Sequence, residues 1–276
     1  MTAPNHAQAL KKLAADILVQ TLDEDLSRLL SDAMARARHD DAIAADLAGS
    51  VLPPLLRRWN CVLHAGDDAA STQYRHKTAV ALAILLHKYG IADAAISTRA
   101  DAGIDALNEA VALSDDFHRK TDDIKRAFLH TPPTPPKRAP GLPDSLTFYR
   151  AGDVVSYQLD GRHYAAYVHR CARINQSPVI EFYDAVFDHV PDIGELQDKR
   201  ARGRRYNDGS VRIEHISVAG MKFMPDPAGQ FVLVKACVET PPDASHLGKR
   251  VGLYGVSDVF DLQESVDVMF SADSLD

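Results

Sequence analysis

The 276 residues carry 31 Lys and Arg against 38 Asp and Glu, a formal net charge of -7, which disfavours general nucleic-acid binding, where a basic face is needed. With 46% hydrophobic and 25% charged residues, the composition is that of a folded chain rather than a disordered one. The length allows two domains with sizeable cores.

The start, Met1-Thr2-Ala3-Pro4-Asn5-His6, lacks a basic stretch followed by an apolar one, so no secretory leader is expected. The most apolar run, Ala79 to Leu86, is eight residues long, against about 20 for a membrane span. Cys61, Cys171 and Cys237 are odd in number, widely spaced and in no C-x-x-C pair. They read as reduced thiols rather than disulfides or zinc ligands. A cytoplasmic protein without membrane attachment is the expectation.

In chain order, Leu22, Leu26, Leu29, Leu30, Ala33, Met34 and Ala37 lie on one face of a helix, with Thr21 and Glu24 placed as a capping box at its start. A second helix is expected from near Ala42, broken at Pro53-Pro54. Leu55, Leu56, Trp59, Val62 and Leu63 then form a short stripe of their own. Ser71 to Tyr89, ending at Gly90, reads as the central helix. Ile104, Leu107 and Val111 mark another, and Phe117, Ile124 and Phe128 the last, with Ser114 as its N-cap. Six of the 15 prolines then fall within twelve positions, from Pro132 to Pro143. Each fixes its own φ and biases its predecessor away from helix, so 131–143 reads as an extended, semi-rigid connector.

Beyond the prolines the apolar period becomes two. Asp153 to Leu159, Arg162 to Cys171, Val179 to Val186, Ser210 to Val218, Gln230 to Val238 and Val251 to Val256 read as strands. Asp160-Gly161 and Asn207-Asp208-Gly209 supply hairpin turns. The expected fold is α+β: a helical domain at 1–130, the connector at 131–143, and a β-rich domain at 144–276. The latter is expected as a small barrel or a strongly bent antiparallel sheet.

Familiar catalytic strings are absent: no G-x-S-x-G, no G-x-x-x-x-G-K-[ST], no G-x-G-x-x-G and no H-E-x-x-H. On a helix, His76 and His87 would be separated by about 16 Å of rise. On a strand, His163 and His169 would be roughly 20 Å apart. Neither pair chelates one ion alone, so no metal or other cofactor is expected. His39-Asp40 is a lone HD dyad at a helix junction. Glu181, Asp184, Asp188 and His189 form an acid–base candidate, although in a regular strand Glu181 and Asp184 point to opposite faces. His215 stands alone. The sharpest anomaly is Lys199, Arg200, Arg202, Arg204 and Arg205, five cations in seven residues of an acidic chain. Planar guanidinium forks suit a carboxylate or phosphate partner, and a solvated loop is the alternative.

Gly152-Asp153-Val154, then Leu159-Asp160-Gly161-Arg162-His163-Tyr164, then Ile180-Glu181-Phe182-Tyr183-Asp184 resemble the opening of immunity protein family 26, whose members neutralise polymorphic bacterial toxins. The resemblance covers about residues 150–190 and extends over the strand-rich region to about 255. Val155 stands where an aromatic is usual, and Ala165 and Ala166 where glycines are common. The resemblance implies a bacterial cytoplasmic protein that binds a cognate toxin and occludes it, with no catalytic residue carried over. Lys199, Arg200, Arg202, Arg204 and Arg205 are the candidate partner contacts. The alternatives from other classes are a metal-dependent phosphoester hydrolase, with ligands gathered from distant histidines, and an interaction module for an anionic partner.

Overall fold

The computed structural model describes residues 4–271; the opening Met1–Ala3 and the last five residues lie outside that range. The chain divides into two compact units, Met1–Pro143 and Asp144–Asp276. The first is helical and the second strand-rich, an α+β protein. No helix among the described residues is long and apolar enough to cross a membrane.

The helical unit runs α1 (His6–Lys11), α2 (Asp16–Arg36), α3 (Asp41–Ala45), α4 (Leu47–Leu63), α5 (Thr72–Lys88), α6 (Ala94–Glu109), α7 (Asp115–Arg119) and α8 (Thr121–Phe128). Helix α5 is its axis. Every residue from Thr78 to Leu86 is buried, as expected of a helix apolar all round. Ser71 caps it by accepting a hydrogen bond from the Tyr74 amide.

Two expectations are corrected in this unit. Helix α2 begins at Asp16, so Thr21 lies inside it, where its hydroxyl donates to the Ile17 carbonyl instead of starting a capping box. Helix α4 runs through Pro53 and Pro54. The prolines remove two backbone donors, but Val51, Leu55, Trp59 and Val62 share one buried stripe, and the packing of that stripe outweighs the break. Within this core Asp25 Oδ2 accepts from Arg58 Nε at 2.8 Å and from Trp59 Nε1 at 2.9 Å. The Asp25 and Arg58 side chains are 3% and 1% exposed.

The proline segment belongs to the helical unit. Ser31 Oγ donates to the Pro140 carbonyl, and Gly90, at φ +77°, lies beneath Thr134–Pro136. A Cβ added at Gly90 would stand 2.5 Å from Pro135 Cα, so only glycine fits there.

The second unit holds β1 (Val154–Leu159), β2 (Arg162–Arg173), β3 (Gln176–Phe182), β4 (Gly203–Arg205), β5 (Val211–Ile213), β6 (Ile216–Ala219), β7 (Phe231–Lys235), β8 (Gly255–Asp258) and α9 (Asp261–Ser271). Six strands form one sheet in the order β7-β1-β2-β3-β6-β8, and β4 pairs with β5 separately. The sheet is open and mixed: β8 joins β6 in parallel while the other pairings are antiparallel. A closed barrel is therefore corrected to an open sheet with edges at β7 and β8. The β1–β2 turn is Asp160-Gly161, with φ +51° and +77°, the left-handed pair that a two-residue hairpin loop requires.

Period-two alternation splits the sheet into two buried faces. On one, Tyr157, Phe182 and Phe231 share an aromatic layer, and α9 brings Phe270 to 4.7 Å from the Tyr164 ring. On the other, Val154, Ala165, Tyr167, Tyr183 and Leu196 form a second core cluster. This second face carries the polar side chains described next.

Candidate functional site

Strand β3 pairs with β2 on one side and β6 on the other. Tyr167 lies opposite Glu181, and Ile180 lies opposite Ile216, which places His215, just before β6, across from Glu181. Period two puts His169 on the same face as Tyr167, and the two ring centroids lie 5.0 Å apart; the β2–β3 register shifts between Val168 and Arg170, beside this position. Three polar residues, on β2, on β3 and just before β6, thus converge: His169 Nε2 is 2.8 Å from Glu181 Oε2, and His215 Nε2 is 3.5 Å from Glu181 Oε1. The two imidazole centroids lie 4.3 Å apart.

Glu181 is 2% exposed, while the His169 and His215 side chains are 22% and 19% exposed. Burial pushes the Glu181 carboxyl up, and the hydrogen bonding and charge of His169 and His215 outweigh it, leaving the group below the ordinary carboxylate range. Nearby, burial and then the proximity of Tyr167 and Glu181 push the Tyr183 phenol up to about 12. The Tyr167 hydroxyl donates to the Val238 carbonyl at 3.0 Å. His215 Nδ1 accepts from Arg250 Nη1. A guanidinium only donates, so the proton of neutral His215 sits on Nε2, facing Glu181.

The donor set of two imidazoles and one carboxylate has the chemistry of a borderline metal site, and one ligand atom from each of the three lies within 4.8 Å of the others. Pairs taken along single elements miss this group, because its members lie on three segments and meet only through strand register. A period-two reading that paired β3 with two neighbours would have put Glu181 and His215 opposite each other. His169 shares the face of Tyr167 by alternation, and the Tyr167–Glu181 pairing then brings it to the carboxylate.

The other acid–base candidates disperse. Asp184 lies past the end of β3 and pairs with Arg202 Nη1 at 2.6 Å. Asp188 and His189 are exposed, with Glu195 beside the imidazole. Hydrogen bonds to Asp188 and then Glu195 raise the His189 pKa. His163 lies on β2 with Nδ1 3.1 Å from Ser156 Oγ, and burial lowers its pKa. His39-Asp40 is a helix junction: Asp40 caps α3 through the Ala42 and Ile43 amides. His87 meets His6 at 2.9 Å and packs on Phe128, beside a cleft of about 690 Å³ rimmed by Pro132 and Pro133.

The cationic run is built into the fold. Ala201 bridges to Tyr183, Arg200 to Asp243, and Arg204 and Arg205 lie on β4. Arg202 faces inward: its Nε donates to the Met269 carbonyl of α9 at 3.0 Å, and its guanidinium lies 4.9 Å from the Phe270 ring. Lys199, Arg200, Arg204 and Arg205 are exposed. Arg204 stands 3.5 Å from Glu214 and Arg200 3.6 Å from Asp243. Arg204 and Arg205 line two neighbouring clefts, of about 340 and 580 Å³, that share Val268. Comparison of the chain with family models, curated proteins and solved structures gives no match in any of the three.

Proposed function

We propose that this chain is an immunity-type binding protein whose strand-rich unit docks on a bacterial protein toxin and occludes it. The observation that carries the reading is the surface around β4. Exposed Arg204 and Arg205 border clefts whose walls include the exposed Val211, Val256 and Val268. Arginine beside apolar groups is the composition of an interface core, where a few anchors hold most of the energy. The cations favour carboxylates on the partner, locally opposite in sign to the chain's net charge of -7. The stretch resembling the immunity family supplies β1, β2 and β3, the frame on which this surface is mounted.

The test is co-expression with the product of a neighbouring gene that carries a toxic C-terminal domain. Growth should return, the pair should co-purify in equal amounts, and Arg204→Glu with Arg205→Glu should weaken the complex. The reading fails if sub-stoichiometric chain protects fully and one substitution at Glu181 or His169 abolishes protection, because only turnover behaves so. That outcome would favour the second reading, a metal-dependent phosphoester hydrolase, for which the convergence of His169, Glu181 and His215 is the supporting observation.

A further inference from the structure

We infer that His169, Glu181 and His215 form a binding site for a first-row divalent transition metal of the zinc class, and that metal binding expels Arg250 from His215. The inference stands independently of toxin binding. Its first support is geometry. Zinc bonds of about 2.0–2.1 Å at tetrahedral angles put neighbouring donor atoms roughly 3.3–3.5 Å apart. His215 Nε2 stands 3.5 Å from Glu181 Oε1 and His169 Nε2 2.8 Å from Glu181 Oε2, the two oxygens of one carboxylate. One ligand atom from each residue lies within 4.8 Å of the others, so side-chain rotation can bring three donors to that spacing. Strand register holds the three donors, so the ordering of the site is largely completed when the chain folds.

The second support is an incompletely met electrostatic demand. Glu181 Oε1 is buried without a well-formed hydrogen bond; its nearest donor is His215 Nε2, at a long 3.5 Å, which leaves the oxygen weakly compensated. A divalent ion between the carboxylate and the two imidazoles would meet that demand. Both histidines retain some exposure while Glu181 has almost none, so an ion seated on them would keep a coordination position toward solvent. Two nitrogen donors select zinc, cobalt, nickel or copper over magnesium and calcium, which take oxygen.

Arg250 adds the regulatory element. A histidine that binds metal through Nε2 carries its proton on Nδ1 and donates it to an acceptor. In this structure His215 Nδ1 instead accepts from Arg250. The guanidinium and the metal therefore demand opposite tautomers of one ring and exclude each other. Arg250 lies in a loop whose ends are held by backbone hydrogen bonds from Gly248 to Val211 and from Gly255 to His215, so metal binding would free the guanidinium while both ends of the loop stay paired.

The experiment titrates the full-length chain with Zn²⁺ against a chromophoric chelator and with Co²⁺ for its d–d absorption. One equivalent should bind. His169→Ala, His215→Ala and Glu181→Gln should each weaken binding by on the order of a hundredfold, since loss of even an outer partner of a zinc histidine costs about 10–100-fold. Mg²⁺ should not compete, and His189→Ala should leave binding unchanged. Arg250→Ala should tighten Zn²⁺ binding, and this surface change tests the site without disturbing the buried carboxylate. The inference is overturned if the His169→Ala/His215→Ala double variant retains the wild-type affinity, or if Arg250→Ala weakens binding.

Discussion

Replacing Arg202 with alanine separates a structural cation from the exposed ones beside it. The side chain donates from Nε to the Met269 carbonyl and pairs with Asp184, whose side chain is 44% exposed. The Met269 carbonyl lies in the last turn of α9, where carbonyls lack helical donors and the helix end is negative. Hydrogen bonds to a charged donor contribute about 1.5–3 kcal/mol, the half-exposed Asp184 pair about 0–1 kcal/mol, and stacking on Phe270 about 0.5–1 kcal/mol. Because these terms overlap in one side chain, the expected loss is about 2–4 kcal/mol. The assay is urea unfolding followed by tyrosine near-ultraviolet dichroism. Tyr74 and Tyr89 are the tyrosines of the helical unit, and the other seven of the nine lie in the strand-rich unit. With an m-value of about 2 kcal/mol/M, the midpoint should fall by roughly 1–2 M, while Arg205→Ala should cost less than about 0.5 kcal/mol. An Arg202→Ala protein as stable as wild type, or an equal loss from Arg205→Ala, would refute this division of the cationic run. Any loss of partner binding by an Arg202 variant would then have to be separated from loss of fold.

Asp25→Ala should destabilise the helical unit by about 3–5 kcal/mol, because it removes a buried carboxylate that pairs with Arg58 and accepts from Trp59. Trp59 fluorescence reads the change, and Asp25→Leu with Arg58→Met should recover most of it. Burial lowers the pKa of His6, His76, His87 and His163, so each binds its proton more weakly folded than unfolded. Stability should therefore be full above pH 6.5, their ordinary value, and fall as the pH drops toward the folded values. A melting temperature that rises on acidification from pH 7 to 5.5 would contradict this. Gly90→Ala should cost more than Gly161→Ala: both glycines have φ +77°, but only at Gly90 does a Cβ meet another backbone, at 2.5 Å. Gly161→Ala should lose only about 1–2 kcal/mol of left-handed backbone strain.

Much of the helical unit is legible in its apolar spacing, because a buried stripe and its cap are local signals. Helix α5 and the Ser71 cap are of this kind. Pro53-Pro54 misleads because local propensity is outweighed by the packing of Val51, Leu55 and Trp59. In the strand-rich unit the alternation and the Asp160-Gly161 turn identify β1 and β2. Sheet closure depends on which edges pair, and that is a property of the whole chain. The site shows the same division. Glu181 is visible as a carboxylate on a strand, but its partners His169 and His215 reach it as cross-strand neighbours, and which strands pair in which register is not a local signal. The inward turn of Arg202 requires α9, more than sixty residues further on.

The seating of the proline run also bears on how the two units are cut apart for separate study. A fragment ending at residue 130 would discard the backbone that covers Gly90 and the carbonyl that satisfies Ser31. It would expose a groove shaped for proline rings, an invitation to self-association or to capture of foreign proline-rich peptides. A fragment ending at residue 143 keeps its own cover, so aggregation of the shorter piece would reflect the place of the cut rather than an inability of the helices to fold alone.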